Sequence, residues 1–177
     1  MSVFEKKLRK KVRKHATTRS QQESKPFYAK SIIGWREWVS LPDLDISQIK
    51  VKVDTGAKTS SLHAEEMERF LRKGRPWVRF QLYPMQRSHV GGRKVELEVI
   101  DERRIRSSNG QVEKRPVVQT NIHFCGRTWP IELTLSNRDL MGFRMLLGRE
   151  AIHEQFIVDV SHSFLASKLR KKKRSSK

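Results

Sequence analysis

"VKVDTGAKTSSLHA", residues 51–64, sets a β-type alternating run directly against a carboxylate, a hydroxyl and a glycine. In the strand that leads into it, Ile49, Val51 and Val53 share one face while Lys50, Lys52 and Asp54 share the other. An aspartate at the end of a buried strand can act as a base if its carboxylate is held where water and a peptide carbonyl meet. Gly56 then lets a substrate backbone approach closely and leaves an amide pointing at the carboxylate. Thr55 offers a hydroxyl to fix the loop. Asp, Thr and Gly are also ordinary turn residues, so the tripeptide alone fits a plain turn equally well.

Outward from this stretch the pattern is mostly β. Ile32 to Leu41 and Ile46 to Val53 read as strands separated by the turn-forming "PDLD". "EEMERFLRKG", residues 65–74, reads as a short helix ended by Gly74, with Pro76 following where a helix cannot continue. "WVRFQLY", "KVELEVI", "PVVQTNIHFC" and "TWPIELTL" are strand-like, with turns at "HVGG", "SSNG" and "CGR". "SNRDLMGF" reads as a loop, and "LLGREAIHEQF" as an apolar strand end running into a short helix. The Asp-Thr-Gly segment is not repeated within the chain.

The 177 residues fit one domain of residues 31–160 between two basic tails. Of the net charge of +19, residues 1–30 hold ten Lys/Arg against two Glu, and residues 168–177 hold seven Lys/Arg and no acid. Only +4 remains on residues 31–167. The N-terminal arm (1–30) and C-terminal tail (161–177) lack the apolar content that would offset ordering entropy, so disordered arms are expected. Their charge implies an acidic partner: RNA, a ribosome or an acidic protein segment. Phe4, Leu8 and Val12 recur at helical spacing, which leaves a short basic amphipathic helix open. The absence of a signal-like or membrane-spanning apolar run predicts a cytoplasmic protein without a stable membrane span. Cys125 is the sole cysteine, which excludes an internal disulfide framework.

Downstream of Asp54 stands a second element, Leu146-Leu147-Gly148 followed by Arg149 and a helix. The pair "VDTGA" and "LLGREAI" resembles the retropepsin-like aspartic proteases, in which the second element packs under the loop bearing the first. More narrowly, "DTGAKTSSLHA", "IIGWREWVSLP" and "LLGREAI" resemble the bacterial RimB-like family labelled ATP-dependent zinc protease, over about residues 31–160. The resemblance implies an all-β fold, a single closed barrel-like lobe with short helices, two of which make one active site. It also implies Asp54 as the catalytic residue, Thr55, Gly56 and Ala57 as its loop, and Leu146, Leu147, Gly148 and Arg149 as the supporting motif.

With one Asp-Thr-Gly per chain, the expected active form is a homodimer in which two Asp54 carboxylates meet on a two-fold axis and share a proton. Asp159-Val160-Ser161 also follows apolar residues, but serine replaces the glycine that close approach requires. Viral retropepsins carry acidic residues after the Asp-Thr-Gly-Ala; here Lys58 and Thr59 stand there, so Arg149 is expected to serve as a structural strut with other partners.

The zinc label finds little in these residues. His153-Glu154-Gln155-Phe156-Ile157 begins like the H-E-x-x-H motif but places Ile157 where the second histidine belongs. His123 and Cys125 could supply two ligands on one strand face, yet no second close pair completes the usual spacing. No cofactor is therefore expected, and the absence of a G-x-x-x-x-G-K-[ST] loop leaves the ATP label unexplained. His63 follows the Asp54 loop closely enough to line a cleft or to satisfy loop backbone.

A flap hairpin fits "IRSSNGQVEKRP" best, because Asn109-Gly110 is a strong two-residue turn signal. "HVGGR" is the alternative. Arg103, Arg104, Arg106, Lys114 and Arg115 flank the preferred turn, and such a flap would favour an acidic peptide. Relatives of the family are encoded beside the ligase that adds glutamates to a ribosomal protein, so the resemblance implies processing of glutamate-rich tails and association with that ligase or the ribosome. The rival readings are a non-catalytic adaptor that holds RNA or an acidic protein through its basic arms, and a metal-dependent hydrolase using His123 and Cys125.

Overall fold

The computed structural model describes residues 30–106, 110, 112–137 and 142–167. Strands dominate. In chain order they are β1 (Ser31–Gly34), β2 (Arg36–Leu41), β3 (Ile46–Asp54), β4 (Ser60–His63), β5 (Glu65–Arg72), β6 (Arg75–Leu82), β7 (Arg93–Glu98), β8 (Asp101–Arg106), β9 (Val112–Phe124), β10 (Arg127–Ser136), β11 (Met145–Gly148) and β12 (Phe156–Asp159). A 3-10 turn at Pro42–Leu44 and one short helix, α1 (Arg149–Ile152), complete the described elements. None of the described helices is long and apolar enough to cross a membrane.

The main sheet runs β10-β4-β11-β3-β2-β9-β8, and β9 pairs with β10 as well, so the pairing of six strands returns to its start. Alternation explains its inside: Ile49, Val51 and Val53 of β3 are buried, and Leu62, Met145 and Leu147 from the neighbouring strands meet them. A single core results, because every strand of the ring turns its apolar residues the same way.

The run 32–41 is two strands rather than one. Trp35 accepts from the Val53 amide through its carbonyl (2.9 Å) and donates its own amide to the His162 carbonyl (3.0 Å). There the chain changes partners: β1 pairs in parallel with β12, whereas β2 pairs with β3.

Residues 65–74 form no helix. They are β5 and the turn that joins it to β6, with Phe70 opposite Trp77 and Leu71 opposite Pro76. Lys73 and Gly74 both have positive φ (51° and 75°), the two-residue hairpin geometry that follows the natural strand twist. Gly74 thus serves the turn rather than capping a helix. Cross-strand partners hold the hairpin: Arg79 bonds Glu96 (2.7 Å) and Glu68 (3.0 Å), and Arg72 bonds Glu96.

The folded body continues beyond β12 to Ser167. Glu37, fully buried, accepts hydrogen bonds from the Gly34 amide (2.7 Å), the Ala166 amide (3.2 Å) and the Ser167 hydroxyl. Ser167 in turn accepts from the Trp38 amide (2.7 Å). The basic arms, with Phe4, Leu8 and Val12, lie outside the described residues.

The turn after β12 carries an acid-sensitive cap. Asp159 accepts from the Ser161 hydroxyl (2.7 Å) and amide (2.8 Å) and pairs with His162 (2.7 Å), which together hold its carboxyl at about 2, below its ordinary 3.8. A depressed carboxylate contributes stability that is present above its unfolded value and lost as pH falls through the folded one. Asp159→Asn should therefore melt below the parent near neutral pH, and the gap should close as pH falls from about 4 to about 2. Thermal melts of both proteins across that range check this.

Candidate functional site

Asp54 closes β3, where the parallel strand β11 lies alongside with Gly148 in register against Asp54 and Leu147 against Val53. The loop turns back sharply, and Asp54 Oδ1 accepts from the amides of Gly56 (3.0 Å) and Ala57 (3.2 Å). Two donors on one oxygen fix the carboxylate's orientation and leave Oδ2 with no hydrogen bond among the described residues. Thr55 and Gly56 stand exposed at the tip, and Asp54 is half-buried behind them.

The second motif holds this loop from below. The Arg149 and Glu150 amides donate to the carbonyls of Ala57 (2.9 Å) and Lys58 (3.1 Å). Arg149 Nη1 donates to the carbonyls of Thr55 (2.9 Å) and Gly56 (3.0 Å), so the guanidinium braces the loop through its backbone. The buried Gly148 amide donates to Ser60 Oγ (3.0 Å). Ser60 has no sequence signal beyond its place after "DTGAKT". Leu146 is half-buried and Leu147 buried in the core.

The β8–β9 hairpin reaches the same loop through an arginine. Arg103 donates to Thr59 Oγ1 (2.9 Å), to Glu132 on β10 (2.5 Å) and to Asp101 (3.1 Å). Lys114 pairs with Glu102, and Arg115 with Glu113 (2.7 Å). Of the five cations flanking the turn, Arg104 and Arg106 are exposed and carry no ion pair among the described residues. Asn109 lies outside the described residues; Gly110 has φ 83°. A groove of about 650 Å³ is lined by residues such as Leu71, Trp77, Ile100, Glu102 and Lys114, and by none of the Asp54 loop. It is a crevice between β5–β6 and the base of the hairpin.

The remaining candidates lie apart. His63 is fully buried at the far end of β4, where its Nε2 hydrogen-bonds Glu65 (2.7 Å), which also accepts from Arg144 (2.9 Å). Burial would push the Glu65 carboxyl up, but the hydrogen bonds from His63 and Arg144 outweigh it and hold it below the usual range. His123 Nδ1 bonds Thr128 Oγ1 (2.8 Å), and burial followed by the Glu37 charge pushes the Cys125 thiol up. Among the described residues no three His, Cys, Asp or Glu side chains stand close enough to hold a metal. The donor set of His123 and Cys125 therefore gains no third ligand there.

Gly148 is the tightest point of the site. A Cβ on it would lie 2.7 Å from the Thr59 carbonyl carbon, 2.8 Å from its oxygen and 2.9 Å from the Lys58 oxygen. These are backbone atoms that cannot swing aside. Gly148→Ala should destabilise the protein by about 1–3 kcal/mol, the cost of overpacking. Chemical denaturation of the variant measures it, and an unchanged midpoint would show that the loop yields freely.

These geometric features accompany a clear kinship. A family model described as RimB-like, retropepsin-like aspartic endopeptidase RimB, matches residues 32–169. The chain is 51% identical over 135 residues to a protein of Shewanella halifaxensis named probable alpha-L-glutamate ligase, covering 76% of this chain and 30% of that one. Proteins of the same name from Desulfotalea psychrophila and Parasynechococcus marenigrum are 49% and 43% identical, over 28% and 30% of their lengths. The chain thus spans less than a third of these curated relatives. A crystal structure of a Legionella pneumophila protein of unknown function is similar, with TM-score 0.65 and 32% identity over 77% of this chain and 98% of that one. On the match across residues 32–169, the chain belongs to the RimB-like family of retropepsin-like proteins.

Proposed function

We propose that this chain is an aspartic peptidase that acts as a homodimer, with one Asp54 from each copy, on acidic, glutamate-bearing protein segments. The observation that carries the reading is the Asp54 carboxylate itself, oriented by the Gly56 and Ala57 amides at the exposed end of β3. A second copy supplies the second carboxylate. The exposed Thr55–Gly56 tip gives the two loops room to meet. A further surface favours pairing: Ile32 (58% exposed) and Ile157 (53%) lie opposite each other in register on the β1–β12 sheet, and Val160 (78%) follows.

Two carboxylates brought so close share one proton, because like charges resist ionising together. The ionised one takes a proton from water, which attacks the scissile carbonyl, while the protonated one donates to the carbonyl oxygen and polarises it. Gly56, lacking a side chain, lets the substrate backbone reach that point. The proton taken from water then passes to the leaving amine.

The acidic substrate is supported by Arg104 and Arg106 on β8, which have no carboxylate partner among the described residues, and by the relatives' ligase name. A unit of this family within proteins called glutamate ligases fits a task on glutamate-bearing segments. A cytoplasmic setting agrees with this reading.

Asp54→Asn should fold and dimerise like the parent yet lose hydrolysis of a glutamate-rich peptide, since shape is kept and the shared proton is lost. Full activity in that variant would remove Asp54 as the catalytic residue, and no hydrolysis by the parent itself would leave the adaptor reading in its place. Replacing Arg104 and Arg106 together by Gln should raise KM for the acidic peptide and leave kcat nearly unchanged, because mainly ground-state binding is removed. Steady-state kinetics at low and high salt, with a neutral peptide as control, checks the second expectation.

A further inference from the structure

The fold carries two cation-rich sheet faces that are treated in opposite ways. On one face of the hairpin sheet β5–β6–β7 the arginines are neutralised one by one: Arg72 by Glu96, Arg75 by Glu98 and Arg79 by Glu68 and Glu96. On the outer face of β2–β3 they are not. Glu37, Val39, Ile49 and Val51 point inward and are buried, so Arg36, Trp38, Lys50 and Lys52 point outward. Arg36 stands directly opposite Lys52, and Trp38 opposite Lys50. No carboxylate pairs with Arg36, Lys50, Lys52 or the exposed Arg87 among the described residues.

Such an arrangement costs stability. Like charges directly opposed across a strand pair repel. Burial lowers the Lys50 pKa, and the charges of Arg36 and Arg87 lower it further, so both arginines act on Lys50. A cluster that repels itself and is left uncompensated suits an anion from outside.

Aromatic rings are set among these charges. The Arg36 guanidinium lies 4.6 Å from the Trp35 ring centroid and 5.1 Å from that of Phe164. Lys50 lies 5.4 Å from Phe143, and Trp38 stacks on Phe164 at 6.1 Å with 17° between planes. All four rings are half-buried, each presenting part of itself to solvent. Guanidinium and indole planes offer stacking surface to a nucleobase, and the ammonium groups offer contacts to phosphates. A chain of glutamates would use the cations but has no part that stacks.

The described structure ends at the edge of β2, beside Trp38. Ser167, bonded to the Trp38 amide, is its last described residue, and the ten residues that follow hold seven Lys/Arg and no acid. We infer that the outer face of β2–β3, centred on Arg36, Trp38, Lys50 and Lys52, docks an unpaired stretch of RNA, bases on the aromatic rings and phosphates on the cations. RNA rather than DNA is the occupant because RNA presents its bases unpaired in loops and ends, whereas a duplex hides the stacking faces. This inference does not rest on the peptidase reading.

The test is fluorescence anisotropy of the full chain with a labelled oligouridylate, with intrinsic tryptophan emission read alongside. The Lys50→Gln/Lys52→Gln/Arg87→Gln variant keeps both basic tails and the packed Arg36. It should bind on the order of tenfold more weakly, with a salt slope reduced by about 2. Arg72→Gln/Arg75→Gln/Arg79→Gln removes the same charge from the neutralised face of β5–β6 and should change binding less than about twofold. RNA should quench tryptophan emission in the parent and less so in Trp38→Phe. Equal binding by the parent and the Lys50/Lys52/Arg87 variant would overturn the assignment and leave the tails as the only polyanion contact. So would a loss of the same size for polyglutamate or for double-stranded RNA, or the absence of any quench.

Discussion

Gly148 passes so close beneath Thr59 and Lys58 that a methyl group would lie within 3 Å of three of their backbone atoms, and the rest of the site depends on that approach. It is the point where parallel strands β3 and β11 end together, Asp54 in register with Gly148. Because the strands end level, the first amides after Gly148 can reach the Ala57 and Lys58 carbonyls, and the Arg149 side chain can reach those of Thr55 and Gly56. The loop's outward carbonyls are thereby satisfied from below. Its inward amides are left to hold Asp54 Oδ1. One residue without a side chain thus sets the orientation of the carboxylate on the neighbouring strand.

The same loop is the meeting place of longer-range restraints. Arg103 joins the β8–β9 hairpin to Thr59 and to Glu132, and Thr59 Oγ1 also lies 3.4 Å from Glu150, which Lys58 pairs at 3.5 Å. After the loop this chain places Lys58 and Thr59, and the acids that stand around them come from β10 and α1, Glu132 and Glu150. Movement of the hairpin must therefore break or carry with it a polar connection to the Asp54 loop.

The β architecture could be read from alternation, a local pattern, whereas the meeting of "VDTGA" and "LLGREAI" in one site was implied only by their resemblance to retropepsin-like proteins, because it joins segments about ninety positions apart. Residues 65–74 misled because Met67, Phe70 and Leu71 recur at helical spacing and Gly74 resembles a helix end. What decides is the Lys73-Gly74 turn and the partners it brings opposite, Trp77 and Pro76, which lie outside any helical window. The flap cations misled in another way. Arg103 is a brace because Glu132, 29 residues on, lies across the sheet from it, and a charge count along the chain cannot see that neighbour. The break at Trp35 and the buried Glu37 likewise answer to residues 162–167, more than a hundred positions downstream.

The central claim is that Asp54 is half of a reaction centre completed by a second copy. The most direct measurement mixes parent protein with increasing Asp54→Asn protein at fixed total concentration, after subunit exchange, and follows peptide hydrolysis. If both carboxylates are needed, activity should fall as the square of the parent fraction, because mixed dimers hold a single carboxylate. A linear fall, with each parent chain contributing independently of its partner, would contradict the two-carboxylate account.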